Sequence, residues 1–243
     1  MIDSRTGPLI HLTEWLCRTV AQHDLDSHPL YVLPQSSLSG SLGQSCCPFG
    51  YTTLDLDLLL KAQIGNAWQG RAAFIVFNDA AVDGEALPDS LTADFCGISL
   101  HELAHVLQRP RLFTDRPEPT EAEVQAQIRQ LAAHVSDESP EEPSVPWARH
   151  DLPFIRAFLH LAHRAEQAGY PVCTAAFCAG PLYGLSSALT YRRELGDDPD
   201  RTAAPPIREI LRQPFPQEFL HLFISDVGRW EREQRPEPQG DPA

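Results

Sequence analysis

The stretch 92–108 reads TADFCGISLHELAHVLQ, and its second half, His101-Glu102-Leu103-Ala104-His105, decides the reading of the whole chain. Phe95, Ile98, Leu103 and Val106 fall at helical spacing, Ser90 or Thr92 can cap the start, and Pro110 stops the end. On such a helix, histidines four residues apart project from one face and can chelate a single zinc ion. Glu102, next to the first ligand, is placed to hold a metal-bound water and accept its proton. In a chain of this length and composition the pattern arises by chance with a probability of about 0.03.

Upstream of this helix, residues 9–23 place Leu9, Leu12, Leu16 and Val20 on one side, which predicts an amphipathic helix. Residues 30–34 predict a short strand, and the Ser-, Gly- and Cys-rich residues 35–50 a loop. From Tyr51 the chain alternates as a half-buried strand does, and its leucine-rich end, to Leu60, can instead open a helix. The apolar run Ala72–Phe77 predicts a core strand. Downstream, residues 109–146 are acidic and hold many of the 22 prolines, reading as an insertion or loop, with helical spacing inside it over 120–135. A helix is expected at Pro153–Ala168, capped by Asp151 and stopped by Gly169, with further helical segments near 182–195, 206–213 and 216–232. The tail 233–243 is expected to fray.

The HExxH stretch resembles the zincin metallopeptidases. That resemblance implies one α+β domain over residues 1–243: a small twisted sheet packed on the HExxH active-site helix, with a mostly helical C-terminal half. It also implies an edge strand that pairs with extended substrate, a part open to Tyr51–Leu56 or Phe74–Phe77.

Two histidines seldom hold zinc alone, and catalytic sites commonly use three protein ligands plus water. His105 is followed by Val-Leu-Gln-Arg-Pro, so a third histidine just beyond the motif is absent. The segment Trp147-Ala-Arg-His150-Asp-Leu-Pro-Phe154 resembles the His-Gly-x-x-Phe element of SprT-like zincins, with Asp151 where glycine is usual. That resemblance makes His150 the third ligand. The alternative is a glutamate from the following helical stretch, Glu123 or Glu121, although acids in a first helical turn also simply favour the helix dipole. Zincins often stabilise the oxyanion with a tyrosine, histidine or arginine, and Tyr191 is the candidate named for that role.

Other reactive side chains have plainer readings. His160 and His163 share a helix face with Arg156, Arg164 and Gln167, opposite Phe154, Phe158, Leu161 and Ala165, which predicts a solvated face. Cys96, five residues before His101, points away from the metal face into the core. Cys46, Cys47, Cys173 and Cys178 lack the spacing of a zinc knuckle and read as buried or incidental thiols.

Composition narrows the function classes. The 19 Lys+Arg against 33 Asp+Glu leave a net charge of −14, which argues against nucleic acid or anionic lipid as partner. No apolar run reaches the length of a membrane span, no secretory signal opens the chain, and a cytoplasmic protein with free thiols is expected. The leading expectation is a zinc-dependent metallopeptidase acting on peptide or protein substrates, with Zn2+ held by His101, His105 and His150. The alternatives are a catalytically silent zincin-like metal-binding module with a protein-interaction role, and a non-peptidase metallohydrolase.

Overall fold

The computed structural model describes residues 7–21, 24–25, 30–34, 36, 50–53, 65–69, 73–77, 89–107, 122, 152–173, 185–197 and 205–233. These form six helices and three strands in chain order: α1 (Gly7–Val20), β1 (Leu30–Pro34), β2 (Gly50–Thr53), β3 (Ala73–Phe77), α2 (Asp89–Leu107), α3 (Leu152–Gln167), α4 (Leu185–Asp197), α5 (Ile207–Ile210) and α6 (Gln217–Glu233). A 3₁₀ turn, Gly65–Ala67, lies between β2 and β3. The architecture is α+β, mostly helical with one small sheet. The insertion 109–146 (Ala122 apart), the helical stretch 120–135 within it, and the tail after Glu233 lie outside the described residues. No described helix is long and apolar enough to cross a membrane.

The sheet order is β1-β3-β2. β3 is an unbroken apolar run, Ala-Phe-Ile-Val-Phe, and such a run suits a strand covered on both faces. It takes the centre, with Ile75 and Val76 fully buried. β1 pairs with it in parallel, Val32 opposite Ile75. β2 pairs antiparallel on the other side, Thr52 opposite Ile75. Of the two candidate edge strands, Phe74–Phe77 is therefore central, and Gly50–Thr53 lies at the edge among the described strands.

α1 buries Ile10, Thr13, Leu16, Cys17 and Val20, and leaves Trp15 exposed on the outside, its ring 4.8 Å from that of Tyr170. α1 packs on α2, where the Ser99 hydroxyl donates to the Phe95 carbonyl at 2.9 Å. That leaves the Thr13 hydroxyl to donate to Ser99 Oγ at 3.1 Å, so both buried hydroxyls are satisfied. Cys17 and Cys96 are buried thiols. Burial pushes Cys96 up to about 11, and burial with Glu14 nearby raises Cys17 further, so both stay protonated. Cys96 is a core residue, as expected from its distance from His101.

α2 is enclosed by α1, α3, β2 and β3, so it is apolar on nearly every side. α3 is the second central helix, ending at Gly169 in the left-handed region (φ +89°). There Tyr170 N–H donates to the Ala165 carbonyl and Gly169 N–H to the Glu166 carbonyl, the two bonds of a glycine-closed helix end.

Most of the α3 face expected to be solvated is instead buried, with Arg164 half-buried and Gln167 at the helix end exposed. Arg156 is 2% exposed, His160 5% and His163 6%. The C-terminal helices supply the cover: α4 and α5 pack on α3, and α6 packs on α4. The Arg156 guanidinium donates to the carbonyls of Ile210 (3.1 Å), Gln213 and Pro214 (2.9 Å) and lies 3.6 Å from the Phe215 ring centre. It thereby satisfies carbonyls around the end of α5, which runs one turn rather than the 206–213 expected. Arg164 joins three segments, donating to the Val20 carbonyl, to Asp24 Oδ2 at 2.7 Å and to the Pro205 carbonyl. Asp24 in turn accepts from the Ile207 N–H at the start of α5. Buried Asp226 of α6 accepts the Ser187 N–H at 2.9 Å, an acid at the N-terminus of α4 where the helix dipole favours it.

Candidate metal centre

α2 delivers His101 and His105 one turn apart on one face, and the structure brings their Nε2 atoms to 3.2 Å. The two rings stand at 78° to each other, with centroids 4.9 Å apart. Both side chains are half-buried, whereas Glu102 between them is only 8% exposed. Leu103, Ala104 and Val106, on the other sides of the helix, are fully buried and anchor it in the core.

α3 closes one flank of the pair. Phe154, in its first turn and fully buried, stacks on His105 with centroids 4.3 Å apart at 29°. The same ring meets His101 at 4.8 Å and 66°. Phe158, one turn on, lies nearly parallel to Phe154 and 6.2 Å from His101. On the sheet side, α2 packs against β2 and β3.

The donor geometry suits a small tetrahedral cation. Two imidazole nitrogens on one zinc, each about 2.05 Å from it, lie about 3.3 Å apart, close to the spacing here. Among the described residues, no group of three or more His, Cys, Asp or Glu side chains assembles into a metal cage. The named third ligands, His150, Glu121 and Glu123, lie outside the described residues.

Tyr191 belongs to a different cluster. Its side chain is buried on α4, its hydroxyl is 2.9 Å from His160 Nε2, and its ring packs on Phe219. His160 points roughly 120° around α3 from Phe154 and roughly 160° from Phe158, so this cluster is turned away from His101 and His105. The structure brings the Nε2 atoms of His101 and His105 together, buries Glu102 beside them in sequence, and pairs Tyr191 with His160 instead. Phe154 is the neighbour of the pair that the sequence reading placed on the apolar face of α3 and as the phenylalanine of the His-Gly-x-x-Phe resemblance, without giving it a contact to the histidines.

Comparison with models of known protein families, with curated proteins and with solved structures finds no match to this chain.

Proposed function

We propose that the chain is a zinc-dependent hydrolase and, within that class, a metallopeptidase with a zincin-like fold acting on peptide or protein substrates. The 3.2 Å convergence of His101 and His105 Nε2 carries this reading. Residues four apart on a helix are neighbours, but their side chains need not converge; here the two Nε2 atoms do, and Glu102 follows His101 directly in sequence.

His101 and His105 hold the ion through Nε2, and His150 completes the set. The position of Phe154 against both imidazoles supports His150, because Phe154 stands where the His-Gly-x-x-Phe resemblance that names His150 has its phenylalanine. Zinc held there would supply a Lewis acid for the scissile carbonyl and would lower the pKa of water at the site toward neutrality. Glu102 takes the proton of the attacking water and passes it to the leaving amine. β2, antiparallel and at the sheet edge among the described strands, packs against α2 and supports an extended substrate, since an edge strand presents backbone groups to a peptide.

The test is zinc content and hydrolysis of an unfolded protein substrate, measured on wild type and Glu102→Gln. Glu102→Gln should retain zinc and lose hydrolysis by about 10²–10⁴-fold. Equal cleavage by both proteins sinks the mechanism. Zinc binding without turnover favours the silent module, and hydrolysis confined to non-amide substrates favours a non-peptidase hydrolase.

A further inference from the structure

A single aromatic ring touches both halves of the histidine pair. We propose that Phe154 is a positioning residue for the metal ligands, holding both imidazoles in the rotation that makes their Nε2 atoms converge. This inference rests on the zinc-binding reading of His101 and His105.

The imidazole χ2 torsion is broad, so a helix backbone alone leaves each ring free to swing. The two imidazoles are held in different orientations, 78° apart. One planar neighbour can restrain both only by meeting one face to face and the other edge to face. Phe154 does this, at 29° to His105 and 66° to His101. The ring is itself immobilised: it is fully buried, lies on the first turn of α3, and is stacked with Phe158 at 5° between planes. The imidazoles are half-buried, with the Phe154 ring on one flank. Phe158 is the internal comparison, because it shares the helix face and the burial but lies farther from His101.

The alternative is that Phe154 is ordinary core filling. Zinc affinity, measured by chelator competition, and the visible absorption of the Co2+-loaded protein separate the two. Phe154→Leu stays apolar but lacks the ring, and should weaken zinc by about tenfold or more and change the cobalt band. Phe158→Leu should bind zinc close to wild type even where it lowers Tm of the metal-free protein by as much. Should Phe154→Leu fail to fold, Phe154→Met takes its place under the same limits. On the wild-type protein, zinc should also shift the Phe154 ring resonances more than those of Phe158. Wild-type zinc affinity and an unchanged cobalt spectrum in the Phe154 variant overturn the positioning role alone, as do Phe154 resonances that ignore bound zinc. A wild-type protein that binds neither zinc nor cobalt overturns the zinc reading and this role with it.

Discussion

His101 and His105 on α2, and His160 and His163 on α3, are two histidine pairs on the two central helices. The first pair is half exposed, four residues apart, and its Nε2 atoms lie 3.2 Å from each other. The second pair is three residues apart and buried. His160 Nε2 is engaged by the Tyr191 hydroxyl, and His163 Nε2 meets no hydrogen-bond partner among the described residues. Burial, with Arg192 nearby, holds His163 below its ordinary pKa, so it stays neutral through desolvation rather than through any ligand. Proximity in sequence therefore does not make a metal site. The proposed site needs two Nε2 atoms within reach of one point on a partly exposed flank, and of the two pairs the first has them.

The strongest way to break this contrast is metal analysis. His105→Ala should lose zinc by orders of magnitude, whereas His163→Leu should keep it, as measured by metal content after dialysis. Equal zinc in both variants removes the distinction. Assayed beside them, His150→Ala and Glu123→Ala sharpen it, since only loss of the true third ligand should strip most of the zinc.

A smaller effect is expected at the second pair. Tyr191→Phe removes the partner of buried His160 and should cost about 1–3 kcal/mol in urea unfolding. Zinc content and hydrolysis should be unchanged. Lost hydrolysis at unaltered stability would instead return Tyr191 to the oxyanion role.

The smallest effect is a pH dependence. The folded pKa of His163 lies below the unfolded value near 6.5, so the unfolded chain binds the extra proton first as pH falls. Its contribution is complete above that value and declines as pH drops below it toward the folded pKa. Urea midpoints across mildly acidic pH should fall less steeply for His163→Leu than for wild type. Parallel curves would show that His163 contributes nothing to the acid sensitivity.

Much of the framework is legible without the fold. The HExxH spacing, the strand of apolar residues at 73–77 and the glycine stop after α3 all rest on local rules and stand where those rules place them, although α2 starts at Asp89, ahead of both expected caps, Ser90 and Thr92. The surroundings of α3 are not legible in that way. Arg156, His160 and His163 read as a polar face because their own helix says nothing about what covers it. α4 and α5 do cover it, with α6 packed on α4, and Arg156 answers by donating to carbonyls at the end of α5. The length of α5 follows from the same contact. Its sequence propensity extends further than the turn that Asp24 starts and Arg156 closes. Sheet order was equally hidden, since alternation identifies a strand but not its neighbours; β3 takes the centre because its residues can be buried on both faces.

By itself, the sequence determined which residues can do chemistry: two histidines and a glutamate on one helix, in an acidic chain with an apolar core. Helical periodicity is local, so it can be read along the chain. The tertiary structure decided which of these groups meet. It set the Nε2 atoms together, placed the Phe154 ring across both imidazoles, made β2 the edge strand beside α2, and sent Tyr191 to His160. Those outcomes depend on segments far apart in sequence packing against each other, and no local rule records which face of one helix another will cover.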